Sequence, residues 1–196
     1  MYMSWKLIYL ILSLSIVFGS GGYDNGTATG KGKFQLDITW NPFNKIEFGQ
    51  TYAVMHYGIT DRIDLHGYIS SHKSSYYTWY GGLFYQFYKS NRLDLATAIG
   101  TRKQFDKNVT HLFLPQLLYT VNINNKLNIG GSFVEVRNHN AEKNYGVAVD
   151  VALFYQIKYE TKKIEGISIG VGGFHPSTWK SDSYFLPTYS IDIKFK

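Results

Sequence analysis

The chain has 196 residues, no cysteine, 17% charged and 17% aromatic residues and a formal net charge of +6. That length sets one domain as the expectation, and the missing cysteine excludes both a disulfide framework and a lipid-modified N-terminal cysteine. The basic balance is not clustered as in a nucleic-acid reader, and the wealth of Tyr (17), Phe (13) and Gly (19) suits strands and tight turns better than helices.

Residues 1–22, MYMSWKLIYLILSLSIVFGSGG, place Lys6 before the apolar run 7–18 and small residues at 19–22. This three-part pattern is that of a secretory signal, and the run is shorter than the ~20 residues that a helix needs to cross a bilayer. Residues 23–32, YDNGTATGKG, are Gly-rich and are expected to be a flexible lead. Residues 33–196 remain for the folded unit.

From there the chain breaks into segments of period two. Phe34, Leu36, Ile38 and Trp40 alternate with Lys33, Gln35, Asp37 and Thr39. In the second segment Ile46, Phe48, Tyr52 and Val54 are expected on the apolar face, opposite Glu47, Gly49, Thr51 and Ala53. Ile63, Leu65 and Ile69 then oppose Asp64, His66, Tyr68 and Ser70, and Tyr77, Trp79, Leu83, Tyr85 and Phe87 oppose Thr78, Tyr80, Gly82 and Gln86. Leu93, Leu95 and Ile99 follow against Asp94, Ala96, Ala98 and Gly100, then Phe113, Leu117, Tyr119 and Val121 against Gln116, Thr120 and Asn122. Leu127, Ile129 and Phe133 oppose Asn128, Gly130 and Ser132. The eighth segment sets Tyr145 to Ile157, in steps of two, against Gly146, Ala148, Asp150, Ala152 and Gln156. Ile167, Ile169 and Val171 face away from Ser168, Gly170 and Gly172. The chain closes on Tyr189, Ile191, Ile193 and Phe195 against Ser190, Asp192 and Lys194.

The pattern predicts an all-β fold: a single antiparallel up-and-down transmembrane barrel of about ten strands, with eight as the alternative. Connections alternate between mostly longer and mostly shorter, as when long loops emerge on one side, and a meander of hairpins closes without leaving an edge. Segments of this length suit a tilted bilayer span better than a soluble strand, and aromatics near the segment ends (Trp40, Phe43, Tyr76, Trp79, Tyr88, Tyr155, Tyr159, Trp179, Tyr184) suit interfacial girdles. Pro115 and Pro187 belong at a bulge or rim, because neither has an N–H for the ladder. A secreted soluble ligand-binding barrel, with the same stripe turned inward, is the competing architecture.

The final segment, YFLPTYSIDIKFK, resembles the C-terminal signature of bacterial outer-membrane β-barrel proteins, carried here by Tyr189, Ile191, Ile193 and Phe195. Lys196 departs from it, since the aromatic normally ends the chain. The segment YGITDRIDLHGYIS also resembles the strand, tight periplasmic turn and strand of such barrels. The resemblance implies a signal-exported, cell-envelope, porin-like protein of the outer membrane. Its partners would be membrane lipid, lipopolysaccharide and the assembly machinery.

In a barrel Asp37, Glu47, Asp64, His66, Asp94, Asp150, Asp192 and Lys194 would point into the lumen, as an internal paired and wet network or as a narrow conduit for small solutes. Lys73, Arg102, Lys103, Lys107, Arg137, Lys143 and Lys180 sit in or beside the longer connections, where they would meet lipopolysaccharide phosphates. His175 and Ser177, two apart, are similar in spacing and position to the His-x-Ser pair of the outer-membrane lipid A deacylases, which makes a lipid A-modifying esterase the enzymatic alternative. That family follows the pair with Asn and supplies a later Glu, whereas this chain has Thr178 and only Asp182 and Asp192. No cofactor or metal is expected: His66 and His72 are too far apart along one strand, and His56, His111 and His139 are isolated in the sequence. The expectation is a non-enzymatic membrane barrel, structural or surface-interacting, with at most narrow solute passage.

Overall fold

In the computed structural model, residues 25–40, 50–72, 77–104, 110–138, 145–175 and 186–196 are described. They form ten antiparallel strands, β1 Phe34–Trp40, β2 Gln50–Gly58, β3 Ile63–His72, β4 Tyr77–Lys89, β5 Leu93–Gln104, β6 Thr110–Asn122, β7 Leu127–Asn138, β8 Tyr145–Ile157, β9 Ile164–His175 and β10 Leu186–Phe195. Each strand pairs with its sequence neighbours, and β1 pairs with β10, so the sheet is a closed up-and-down barrel. Closure gives every strand two partners, which leaves no open edge.

The wall is inside out relative to a soluble protein. Leu65, Leu83 and Ile99 on β3, β4 and β5 are 51%, 49% and 51% exposed, and Ile38, Leu117, Phe133, Val147, Leu153, Ile169 and Ile191 continue the apolar belt around the barrel. Asp37, Thr39, Asp64, Ser70, Thr78, Gln86, Ser132 and Ser190 alternate with them and are buried. Period two therefore resolves into a lumen face and a belt. The soluble alternative needs the opposite assignment.

Aromatic rings cluster where strands end. At the chain-terminus end Phe34 packs on Phe195 with ring centroids 5.7 Å apart, and Tyr57, Tyr85, Tyr88, Tyr155 and Tyr159 are exposed. At the other end Trp40 lies 6.0 Å from Tyr189. Phe43, Tyr76, Trp179 and Tyr184 lie outside the described residues.

The connections at the terminus end span 59–62, 90–92, 123–126 and 158–163, and all four use one device. Thr60 Oγ1, Ser90 Oγ, Asn124 Oδ1 and Thr161 Oγ1 each accept two backbone N–H groups, from the residues two and three further on. A short side chain thereby satisfies the donors that a tight turn strands. In every case the residue two places on is basic, namely Arg62, Arg92, Lys126 and Lys163, and exposed, which rings this rim with cations. Pro115 falls in mid-strand at the register shift between β6 and β7, where Leu114 and Leu117 pair and the residues between them do not, and Pro187 is the second residue of β10.

Two expectations change. Tyr52 and Val54 on β2 face inward, at 9% and 1% exposure, while Met55 and Tyr57 face outward. Tyr52 turns in because Tyr68 offers it an edge-on ring contact at 5.3 Å. Of the lead expected to be flexible, the described part, 25–32, enters the barrel at the terminus end and is bonded to its inner wall.

Candidate functional site in the lumen

The lumen is lined by strand residues of one phase and is occupied in part by the chain's own N-terminal segment. Gly30 (φ 91) and Gly32 (φ 73) turn that segment out of the lumen into β1, in a backbone conformation that side chains disfavour. Inside, Thr29 N–H donates to Asp64 Oδ2 on β3 at 2.8 Å and Ala28 N–H to Gln86 Oε1 on β4 at 3.3 Å. Thr27 Oγ1 donates to Asp94 Oδ2 on β5 at 2.8 Å and lies 3.0 Å from Thr120 Oγ1 on β6, which accepts the Gly26 N–H at 3.0 Å. Four successive strands thus each supply an acceptor. Ala28 also packs with Phe84, Ala96, Ala98 and Leu118, inward-facing apolar residues of β4, β5 and β6.

Beside the segment a cavity of about 700 Å³ remains, lined among others by Thr27, Asp94, Gln156, Ser168, Asp192 and Lys194. Glu165 at its edge bridges two lysines, at 2.5 Å from Lys33 Nζ and 3.5 Å from Lys194 Nζ.

Further along the barrel axis a band of titratable and aromatic groups crosses β1 to β4. Asp37 on β1 accepts from Gln35 Nε2 at 2.9 Å and lies 3.5 Å from His56 Nε2 on β2. The His56 and His66 rings stack at 5.1 Å with 10° between planes, and His66 is followed by Tyr80 at 4.8 Å. His56 is therefore not isolated as its place in the sequence suggests, because the β2–β3 register sets it directly opposite His66. On β7 and β8 Asp150 Oδ2 accepts from Ser132 Oγ at 2.6 Å, and on β10, next to β1, Asp192 Oδ2 accepts from Ser168 Oγ of β9 at 2.9 Å.

Asp37, Asp64, His66, Asp94, Asp150 and Asp192 are thus buried on the inner wall, each 7% exposed or less, and Lys194 is partly buried at the cavity. Glu47 lies outside the described residues. Of the residues assigned to lipopolysaccharide, Lys73, Lys107, Lys143 and Lys180 also lie outside them, and Lys103 and Arg137 are described only in backbone, on β5 and β7. Arg102 departs from that assignment: it shares the inward phase of Asp94, Ala96 and Ala98, stands opposite Tyr80, and is half-buried. His175 ends β9 opposite Val149, on the wall phase of Ile169 and Val171, and Ser177 lies outside the described residues. Among the described residues no three His, Asp or Glu side chains converge on a metal position. Tyr189, Ile191, Ile193 and Phe195 form the outer face of β10 at the seam with β1.

Sequence reasoning missed the segment 25–32 and the apolar inward residues Phe84 and Leu118. The visible signal was two large apolar side chains out of phase on otherwise polar faces.

By sequence, no family description and no curated protein matches the chain. By structure it is similar to a solved "KdgM porin" and to a "KdgM porin in complex with disordered oligogalacturonate". Each has a TM-score of 0.52 and 7% sequence identity, and each match covers 84% of this chain and 98% of the other. What the chain shares with them is the fold, a closed antiparallel β-barrel.

Proposed function

We propose that the chain is a porin-like, non-enzymatic β-barrel of the bacterial outer membrane, exported by residues 1–22, that passes small solutes through a narrow lumen. The observation that carries this reading is the polarity of the wall. A continuous belt of half-exposed Leu, Ile, Val and aromatic side chains encloses a lumen of Asp, His, Ser and Thr. In water such a belt exceeds any ordinary surface patch, whereas in a bilayer it meets lipid. The fold shared with KdgM porin supports the same reading.

Ten strands lie near the size that side chains fill, and Phe84, Leu118, Tyr80 and Phe154 reach inward, which supports passage restricted to small species. Away from the Lys33–Glu165–Lys194 bridge, the buried carboxyls Asp37, Asp64, Asp94, Asp150 and Asp192 outnumber two guanidiniums, Arg102 on the inward phase of β5 and Arg92 at the cavity. That balance favours cations and neutral solutes. An oligogalacturonate carries a carboxylate on each sugar, so the ligand of the KdgM porin complex is not transferred to this chain. The outward residues of β10 support recognition by the assembly machinery. The basic residues in or beside the longer connections, other than Arg102, support contact with lipopolysaccharide.

Fractionation with a gel of boiled and unboiled protein, followed by planar-bilayer recording, tests the reading. An outer-membrane protein that shifts on boiling and shows a cation-favouring reversal potential is expected. A detergent-free soluble protein without a shift overturns the membrane assignment, and anion preference overturns the charge argument.

A further inference from the structure

We propose that residues 25–32 are a built-in stopper, seated in a socket that the inner wall provides for it, and that its withdrawal opens the passage. This inference rests on the membrane-barrel reading above.

The socket has three independent parts. The first is apolar: Phe84, Ala96, Ala98 and Leu118 bury Ala28. Four neighbouring apolar side chains facing a water-filled lumen gain nothing there, and against Ala28 they are removed from water. The second is polar: Asp64, Gln86, Asp94 and Thr120, from four consecutive strands, accept donors of the segment. The third is steric. A Cβ on Gly26 would lie 2.6 Å from the Asp94 carbonyl oxygen and 2.8 Å from Tyr119 Cα, and one on Gly58 would lie 1.9 Å from the Gly30 carbonyl oxygen. Backbone meets backbone at both points, so the seat is cut to this segment.

The attachment is also reversible. Residues 25–29 touch the wall through side-chain acceptors and apolar packing and add no strand to the sheet. Their hinge is the pair of positive-φ glycines at 30 and 32. Withdrawal would leave all ten strand pairings intact, and it would expose Asp64 and Asp94, each of which already has one buried oxygen, Oδ1, without a partner. Removing the stopper therefore widens the terminus-end mouth and adds Asp64 to a lining that already includes Asp94.

The native chain has no cysteine, so a reversible lock can be built at positions 27 and 120, where the two hydroxyl oxygens are 3.0 Å apart. Single-channel conductance is recorded for wild type, for a chain lacking residues 25–32, and for T27C/T120C before and after reductant. The deletion is expected to raise conductance several-fold and strengthen cation preference, and the oxidised double variant to conduct less than after reduction. A heat-modifiable barrel whose conductance is unchanged by the deletion overturns the proposal. So does a cross-link that fails to form, or one whose reduction changes nothing, which decides the matter even if the deletion variant does not insert. Failure of the wild type to insert strikes the barrel reading instead.

Discussion

Asp37 on β1 stands directly opposite Asp192 on β10, so the seam that closes the barrel sets two buried carboxyls face to face. Like charges in this position destabilise a strand pair by ~0.2–1 kcal/mol, and more where water is excluded. Gln35 Nε2 and His56 Nε2 lie on the Asp37 side and Ser168 Oγ on the Asp192 side, but Asp192 Oδ1 has no partner. Asp192→Asn takes one carboxyl out of the facing pair, keeps an acceptor for Ser168 and adds a donor beside Asp37. It is expected to stabilise the barrel by about 1 kcal/mol, read as a higher temperature for conversion of the unboiled gel form. A lower temperature would mean that the pair holds a cation or a shared proton that Asn cannot replace.

Asp150 holds Ser132 by two bonds, from the backbone N–H at 2.8 Å and from Oγ at 2.6 Å, on adjacent strands β8 and β7. Ser132 is fully buried. Asp150→Ala strands both donors, and one hydrogen bond to a charged group contributes ~1.5–3 kcal/mol. The expected loss of stability, measured by urea titration in lipid vesicles, is at least that of one such bond. Ser132→Ala should cost less, because the backbone bond survives. Equal losses would show that packing, not the carboxylate, dominates there.

Nine of the ten strand phases were legible because alternation of large apolar with small or polar residues is local information. β2 was not. From Thr51 to Tyr57 the faces read Thr, Ala, Met, Tyr against Tyr, Val, His, so neither is plainly the polar one. The choice is made by Tyr68 on the next strand, which a single segment does not reveal. Residues 25–32 were misread for a related reason. Composition reports backbone freedom, and their partners Asp64, Gln86, Asp94 and Thr120 lie 35 to 94 positions away. His56 beside His66 is likewise a product of register.

Leu83 on β4 and Ile99 on β5 are opposite one another, outward and about half exposed. Arginine on the lipid face of a barrel costs ~2–4 kcal/mol at the bilayer midplane and little near the interfaces. Leu83→Arg is therefore expected to lower folding yield into vesicles markedly, while Tyr88→Arg, in the terminus-end aromatic group, changes it little. A wall that faces water predicts the reverse for Leu83→Arg, a more soluble protein with unchanged folding.

Gly58 closes β2 under the point where the N-terminal segment leaves the lumen. Its N–H donates to Lys33 O at 3.0 Å and its carbonyl accepts the Gly32 N–H at 2.8 Å. An added Cβ would sit 1.9 Å from the Gly30 carbonyl oxygen, and a backbone atom cannot swing aside as a side-chain tip does. Gly58→Ala must therefore move residues 30–32 or bend the end of β2, and residues 30–32, held to β2 by one isolated bridge, are softer than a strand paired on both sides. The expected outcome is a barrel that still shifts on boiling and conducts more than wild type. Gly32→Ala meets no atom within 4 Å, but it places Cβ at φ +73, a strain of ~1–2 kcal/mol, and should raise conductance less. Gly166→Ala meets nothing and has no such φ, so it is the silent control. If all three conduct alike, the hinge does not govern the mouth; a graded response in the order Gly58, Gly32, Gly166 ties conductance to the seating of residues 25–32.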